Sequence, residues 1–465
     1  MTSLRGVVVL GAAETFGRAL TWLTIFVLPW ALGEAEYGSV VLLATFESVA
    51  VGVLLLGQDS AIFWRCGYRD DPDRAGACVA GAATITASAC LLALLAVTIA
   101  ASVSHGTLLG VPLWPHVWLL TVGVTLSNLN RIGLAFARAR GHSVAFVLDR
   151  LAVGAGRFGI TLAVAFSTGW ALSFPIGMTV GIAAGGAWLF GRLILGKGRL
   201  RAARSEIRPL LAFGTPLSAH LLAMTTIAMV DRWVIGAVLG LAAVGSYGWY
   251  YMLGSGVVFV SAALSVSYEP LIYREYQENA STRSLREYLG ITIAASAAYG
   301  LVGCGLAAVA GGVVPDSVRA DPAIAAVVLL AHWFRPVYLA AGYLLSAVGR
   351  TGRVAAISGV AVVVTVAANL LLVPPLGLMG GAWATLIGLL VLVAASIVAL
   401  RHLSMPVRVL MAPTAAIAVV GAATLFRLTL VTFAAASAVL LVYGVVASGI
   451  LHRLGRPPTV ASAQD

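Results

Sequence analysis

Residues 354–400 read VAAISGVAVVVTVAANLLLVPPLGLMGGAWATLIGLLVLVAASIVAL and contain no charged side chain and no histidine. A helix needs about 20 apolar residues to cross the hydrocarbon core of a bilayer. Pro374, Pro375 and Gly377 interrupt the run near its middle, and these residue types favour a turn. The stretch therefore predicts two membrane-spanning helices, over residues 353–373 and 378–400.

The same composition extends along the whole chain. Of its 465 residues, 60% are hydrophobic and 10% are charged, and the mean hydropathy is +0.98. Soluble domains carry about 25% charged residues, so this composition predicts an all-α polytopic membrane protein with about fourteen transmembrane helices. The predicted spans cover residues 6–32, 38–57, 75–103, 113–137, 144–168, 171–195, 209–237, 241–267, 287–313, 323–349, 353–373, 378–400, 407–426 and 428–451.

The loop charges fit this alternation of spans. Of the 29 cationic residues, 23 fall in alternate loops or near the chain ends, whereas the opposite loops hold only Arg319 and Arg427. Cationic loops mark the cytoplasmic side of a membrane. We therefore expect a multi-pass protein of the cell inner (cytoplasmic) membrane with both termini in the cytoplasm. The formal net charge of +11 is then explained by topology rather than by binding to nucleic acid.

Two turns of the chain indicate an internal repeat. Gly33 and Gly38 follow the first predicted span, and Gly240 and Gly245 follow the seventh at a constant offset of 207 residues. Each copy has six spans, and an even number returns the chain to the side on which it started. Both copies therefore begin in the cytoplasm and are parallel, with a pseudo-twofold axis along the membrane normal. This predicts an N-lobe over residues 1–200, a C-lobe over 201–403, and two further helices with a tail over 404–465.

Glycines spaced four apart predict close contacts between helices. The first pattern is Gly177-x-x-x-Gly181-x-x-x-Gly185 and the second is Gly377-x-x-x-Gly381. Small residues at this spacing let two helix backbones approach each other.

Several short segments, in order along the chain, carry a family resemblance. They are Leu28-Pro29-Trp30-Ala31-Leu32-Gly33, Asp231-Arg232-Trp233-Val234-Ile235-Gly236 and Gly377-Leu378-Met379-Gly380-Gly381-Ala382-Trp383-Ala384-Thr385. They resemble the polysaccharide transporter branch, including O-antigen flippases, of the multidrug/oligosaccharidyl-lipid/polysaccharide flippase superfamily. The resemblance implies two parallel six-helix lobes around a central cavity. It also implies export of an undecaprenyl-diphosphate-linked oligosaccharide to the outer leaflet by alternating access, with glycosyltransferases and a polysaccharide polymerase as partners.

Four arginines fall inside predicted spans: Arg18, Arg157, Arg232 and Arg335. On insertion scales each costs about 2.5–3.5 kcal/mol at the centre of a helix, so each must face protein, water or a partner. Guanidinium groups bind phosphate oxygens in a bidentate fashion, which suits a cavity for a diphosphate lipid. His332 lies three residues before Arg335 and is a further candidate for that cavity.

Local ion pairs are the alternative interpretation of these charges. Glu14 lies four residues before Arg18, and Asp231 adjoins Arg232. Glu47 is the other deep carboxylate, and it could pair with an arginine or bind a coupling proton or cation. These three carboxylates are therefore predicted to serve in pairing or coupling.

Other functions stay open on the sequence. A multidrug/cation antiporter of the same superfamily would favour deep carboxylates, which mid-membrane arginines outnumber here. A lipid II flippase also fits fourteen spans. A membrane enzyme of polysaccharide assembly is disfavoured because no nucleophile–base or carboxylate pair shows catalytic spacing. We expect a transporter rather than an enzyme, surrounded by membrane lipids, with no cofactor, no metal and no nucleic acid.

Overall fold

A computed structural model describes residues 4–66, 72–104, 106–140, 142–193, 203–310, 315–401, 407–425 and 430–448. These residues form seventeen α-helices and one short β-hairpin. The helices are α1 (Leu4–Val27), α2 (Glu34–Leu55), α3 (Gln58–Cys66), α4 (Pro72–Ser104), α5 (Trp118–Ala139), α6 (Ser143–Thr168), α7 (Ser173–Leu193), α8 (Ala203–Leu239), α9 (Leu241–Ser255), α10 (Val257–Asn279), α11 (Arg283–Ala310), α12 (Ala323–Trp333), α13 (Arg335–Ala347), α14 (Thr351–Leu376), α15 (Leu378–Arg401), α16 (Arg408–Leu425) and α17 (Leu430–Ser448).

The all-α membrane architecture predicted from composition is confirmed. Each of the fourteen predicted spans coincides with one helix or with two helices separated by a break. Within the described residues, nine helices are long and apolar enough to cross a membrane, and three shorter apolar helices accompany them. Large apolar side chains on the outside of these helices, such as Leu92 and Val103 of α4, are exposed, as expected of surfaces that contact lipid.

Two predicted spans are each broken into a pair of helices. The span over 241–267 breaks at Gly256, between α9 and α10, and the hydroxyl of Tyr299 donates a 2.7 Å hydrogen bond to the freed carbonyl of Leu253. The span over 323–349 breaks at Phe334, between α12 and α13. Pro336 accounts for the second break, because proline cannot donate a backbone hydrogen bond.

Three features lie outside the predicted spans. Helix α3 follows α2 directly, and strands β1 (Thr107–Leu108) and β2 (Val111–Pro112) form an antiparallel hairpin. Helix α10 continues to Asn279 through a polar segment that hydropathy does not mark. The carboxylate of Glu275 near its end accepts the backbone N–H groups of Arg283 and Ser284, which caps the start of α11.

The chain divides into two compact units. Unit 1 contains residues 1–252, 315–320 and 365–384, and unit 2 contains residues 253–314, 321–364 and 385–465. Helix α8 and α9 as far as Met252, which open the second sequence repeat, therefore belong to unit 1 together with α1–α7. The lobes over 1–200 and 201–403 describe sequence copies and stay a prediction.

In unit 1, two hairpins of the chain meet in a reciprocal contact. A Cβ atom added to Gly38 would overlap the backbone carbonyl of Leu241, and one added to Gly245 would lie 3.2 Å from the carbonyl oxygen of Glu34. The offset of 207 maps Gly38 onto Gly245 and Glu34 onto Leu241, so each contact is the image of the other. Such an exchange is the mark of a local twofold axis, which supports the predicted parallel repeat. We call this region, residues 34–41 and 241–248, the hairpin contact.

Helices α2 and α8 also touch at the opposite end of α2. A Cβ atom on Gly57 would overlap the carbonyl of Gly214, and one on Gly214 would overlap the carbonyl of Leu56. Gly57 has a φ of +68°, a conformation that glycine adopts without strain. From Gly38 to Gly57 a helix rises about 28 Å, so α2 contacts α9 near its start and α8 just beyond its end.

Candidate functional site

Arg157 is positioned by the first glycine pattern. In unit 1, Gly177, Gly181 and Gly185 of α7 face Thr161, Arg157 and Val153 of α6. A Cβ atom on Gly181 would lie 2.5 Å from the backbone nitrogen of Arg157. The predicted close packing of α7 is thereby confirmed, and it fixes the backbone from which the Arg157 side chain extends.

Glu47 of α2 binds the Arg157 side chain. The Nη1 atom of Arg157 donates to Oε1 of Glu47 at 2.7 Å, and Nη2 donates to Oε2, so the guanidinium and carboxylate pair in a bidentate fashion. The guanidinium carbon also lies 5.1 Å from the ring centroid of Phe174. The side chains remain 12% and 15% exposed, so the pair is not sealed from its surroundings.

Replacing Gly181 with alanine is expected to lower thermal stability in detergent. The added methyl group would overlap the α6 backbone, which cannot relax by a change of rotamer as a side chain can. Overpacking of this kind costs about 1–3 kcal/mol. Gly159→Ala on α6 is the matched control, because nothing lies within 4 Å of its added Cβ atom. The control should keep or raise the unfolding temperature in differential scanning fluorimetry. Equal unfolding temperatures for the two variants would contradict the packing assignment.

The second glycine pattern behaves differently from the prediction. Gly377 has a φ of +59° and no atom near its added Cβ, so it forms a turn between α14 and α15 rather than a helix contact. Gly380 instead approaches the backbone of Leu372. Gly381 does serve in packing, because its added Cβ would lie 3.0 Å from Ile235.

Arg232 lies in a closed cluster of unit 1. Its Nη1 atom donates to Oδ1 of Asp231 at 2.9 Å, and the guanidinium lies 3.9 Å from the ring centroid of Tyr251. The hydroxyl of Tyr247 donates to the other oxygen of Asp231 at 2.6 Å. Arg232 is 5% exposed. In this conformation the arrangement is therefore the local ion pair, the alternative interpretation of the sequence, and it presents no guanidinium surface to a ligand.

Arg335 and His332 lie in unit 2. Arg335 is the first residue of α13, and His332 is buried near the end of α12. The Arg335 guanidinium interacts electrostatically with the hydroxyl groups of Tyr288 and Tyr338. The break between α12 and α13 thus places the arginine at the start of a helix among buried tyrosines.

A group of tyrosines and carboxylates in unit 2 has no signal in the sequence motifs. The hydroxyl of Tyr268 donates to Glu287 at 3.2 Å, and that of Tyr273 donates to Glu269 at 2.7 Å. Rings of neighbouring tyrosines lie 5.7–6.2 Å apart by centroid. These residues come from α10, α11 and α13, so their proximity depends on how those helices pack.

The remaining charged residues of interest belong to α1 and α6. The side chains of Arg18 and Glu14 lie outside the described part of the structure, although both residues belong to α1. Asp149 of α6 is buried and accepts a 3.1 Å hydrogen bond from Asn130 of α5. The sequence does not single out Asp149, because it lies near the predicted start of a span, where a carboxylate is ordinary.

The described charges allow one chemical conclusion. Glu47 and Asp231 are each bound by an arginine, so neither offers a free negative charge to a cation in this conformation. Arg157 and Arg335 lie in different compact units. The prediction that they line one shared cavity therefore stays a prediction.

No protein-family model matches the chain, and no curated protein matches it. Solved structures do match its fold. The inward closed conformation of the lipid II flippase MurJ is 11% identical over 96% of this chain and 98% of that one, with a TM-score of 0.69. The inward-facing conformation of a multidrug resistance transporter of the MATE family is 15% identical over 85% and 95%, with a TM-score of 0.61.

A third similar structure is a transporter from Pyrococcus furiosus. It is 17% identical over 87% of this chain and 96% of that one, with a TM-score of 0.58. The MATE-family structure and the Pyrococcus protein are both described as members of the MOP superfamily, the multidrug/oligosaccharidyl-lipid/polysaccharide group. This chain therefore has the polytopic helical fold that MATE transporters and the lipid II flippase MurJ share.

Proposed function

We propose that this protein is a flippase that moves an anionic lipid-linked oligosaccharide, of the undecaprenyl-diphosphate class, from the inner to the outer leaflet. The fold of known transporters and the sequence resemblance to polysaccharide transporters support this proposal. Alternating access is the mechanism: the two sequence repeats move against each other and expose the cargo to one membrane side at a time. The protein acts as a transporter rather than an enzyme, in the inner membrane with cytoplasmic termini.

One observation carries the choice of an anionic cargo. Arg157 keeps a partly exposed guanidinium inside a membrane-spanning helix, where it pairs with Glu47, and Arg232 pairs with Asp231. A diphosphate can compete with Glu47 for that guanidinium because phosphate oxygens match the same bidentate geometry. A cation would likewise have to displace an arginine from Glu47 or Asp231, so the preference for an anion comes from Arg335, the further arginine within the predicted spans.

The hairpin contact supports the alternating-access part of the proposal. Gly38 and Gly245 bring two hairpins to backbone contact, and Gly57 and Gly214 do the same at the other end of α2. Glycine contacts of this kind separate without breaking side-chain hydrogen bonds. Each is therefore suited to close one membrane side and to open during the transport cycle.

Transport is expected to depend on membrane potential. A cargo with about two negative charges that moves outward gains about 4–5 kcal/mol per 100 mV of inside-negative potential, which is about three orders of magnitude in its equilibrium distribution. The measurement is the appearance of labelled lipid-linked oligosaccharide in the outer leaflet of proteoliposomes at imposed potentials.

Arg335→Ala should reduce the flux strongly, and Arg335→Lys should retain part of it.

The control for this assay is the same cargo in liposomes without protein. A flux that changes neither with the membrane potential nor with any ion gradient would overturn the proposed driving force. Flux of the wild-type protein equal to that of empty liposomes would overturn the proposed function.

Lipid II is a second cargo of the same chemical class. The fold of the lipid II flippase MurJ covers 96% of this chain, and lipid II also carries a diphosphate. Competition between unlabelled lipid II and labelled oligosaccharide lipid in the same assay separates the two. We expect the oligosaccharide lipid to be preferred.

Cation export is a second candidate function, and one observation favours it. Glu269 and Glu287 of unit 2 lie among tyrosines, and carboxylates with aromatic rings attract organic cations. Uptake of a fluorescent cationic dye into inverted vesicles, driven by a proton or sodium gradient, tests this function. Dye transport that is abolished in Glu269→Gln would favour the antiporter over the flippase.

A further inference from the structure

Unit 2 contains a pocket with a volume of about 350 Å³ between helices α11, α16 and α17. Arg286 lies in the first turn of α11, Arg408 begins α16, and Tyr443 lies near the end of α17. The three helix ends thus converge on the same side. Leu289, Ile293 and Pro413 line the apolar part of the pocket.

The mouth of this pocket is electropositive. Arg286 and Arg408 are both exposed, and in the described part of the chain neither forms an ion pair with a carboxylate. Helix α16 begins and α17 ends at this mouth, so their opposite dipole ends offset each other and the positive charge comes from the two guanidinium groups. The loop-charge pattern places these helix ends on the cytoplasmic side, where anionic lipid headgroups lie.

Exposed apolar side chains directly precede three of the residues that line the pocket, Ala412, Tyr443 and Ala447. Val442 and Val446 of α17 are each 64% exposed, and Met411 of α16 is 42% exposed. Exposed valines and methionine next to cations are suited to acyl chains below a phosphate group, because each part of such a lipid meets a matching surface. A soluble anion would use the arginines but would leave the apolar part of the pocket empty.

We propose that this pocket binds the phosphate and glycerol of an anionic membrane phospholipid from the cytoplasmic leaflet, with Arg286 and Arg408 on the phosphate. The size of the pocket favours a phospholipid over the transported cargo. A volume of about 350 Å³ is near the lower end for ligand pockets and accommodates a small headgroup rather than an oligosaccharide diphosphate. The site also lies at helix ends, whereas Arg157 and Arg335 fall within predicted spans.

Native mass spectrometry of the full-length protein tests the assignment. The detergent-purified protein is titrated with phosphatidylglycerol, phosphatidylcholine of the same acyl chains, and undecaprenyl phosphate. Wild-type protein is expected to retain one phosphatidylglycerol. The Arg286→Ala/Arg408→Ala variant should bind it about 25-fold more weakly, because each cation near a membrane surface contributes about fivefold in affinity for anionic lipid.

Arg283→Ala/Arg350→Ala is the matched control, because it removes two exposed arginines of unit 2 that do not line the pocket. The control should bind phosphatidylglycerol as the wild type does, and unfolding temperatures without lipid show that both variants are folded. Equal phosphatidylglycerol affinity in the pocket variant, or equal wild-type affinity for phosphatidylcholine, would overturn the proposal. Stronger binding of undecaprenyl phosphate that is lost in the pocket variant would assign the site to the cargo instead.

Discussion

Arg157→Ala is expected to stop most of the transport and to destabilise unit 1 at the same time. The substitution leaves the Glu47 carboxylate without its bidentate partner inside the membrane-spanning region. Removing one partner of a buried ion pair costs about 3–5 kcal/mol, and the 12% and 15% exposure of this pair favours the lower end of that range. Loss of the guanidinium also removes the group that we assign to the diphosphate.

A double variant separates the two effects. Glu47→Gln/Arg157→Gln removes both charges, so neither is left unpaired, and stability should recover most of the loss. If Arg157 binds the cargo, the flux of the double variant stays low. A double variant that recovers both stability and flux would show that the pair is purely structural.

The exposed pair between Arg319 and Asp316 is the matched control. Its side chains are 59% and 88% exposed, and its atoms lie 3.0 Å apart. Arg319→Ala should change the free energy of unfolding by less than about 1 kcal/mol, because water already solvates both charges. The measurements are unfolding temperature in detergent and flux in proteoliposomes for all four proteins. Wild-type flux in Arg157→Ala at normal protein levels would contradict the site.

Gly38→Val is the second change with a large expected effect. The valine side chain would occupy the space of the Leu241 backbone, so the two hairpins can no longer meet. Overpacking typically costs about 1–3 kcal/mol, which lowers the population of the closed hairpin contact by about fivefold to a hundredfold. If the cycle requires that contact to close, transport falls by a similar factor.

Accessibility of a single cysteine reports this change directly. Val41 is 4% exposed and faces Gly248 in the hairpin contact, so Val41→Cys in a background without the four native cysteines is protected when the contact is closed. A membrane-impermeant maleimide should label it slowly in the parent protein and rapidly with Gly38→Val. Gly33→Ala in the same hairpin is the control, because nothing lies within 4 Å of its added Cβ atom. Equal labelling of all three proteins would rule out a gating role for the contact.

The positions of the helices could be predicted from sequence because hydropathy reflects the cost of placing polar groups in lipid. The run over 354–400 gave two spans that α14 and α15 match closely. Hydropathy fails where a helix leaves the membrane, which is why the polar end of α10 and the short α3 were missed. It also cannot mark a break such as that at Gly256, where the hydroxyl of Tyr299 replaces a helical hydrogen bond.

The candidate charges were visible in the sequence, but their partners were not. An arginine in an apolar run is conspicuous because it is costly in lipid, so Arg157 and Arg335 could be named. Only the tertiary structure shows that Glu47 of α2 binds Arg157 of α6, since the two residues are 110 positions apart. The tyrosines around Asp231 and those around Glu269 and Glu287 likewise come together through helix contacts.

By itself, the sequence determined that this chain is a helical membrane protein, because hydropathy acts locally along the chain, and its turn glycines predict a parallel repeat. The tertiary structure decided which charges are neutralised. In that structure the Arg232–Asp231 pair is almost fully buried, whereas the Arg157–Glu47 pair is partly exposed. The physical reason is that the energy of a charge in a membrane depends on its neighbours in space, and those neighbours are set by helices that are distant in the sequence.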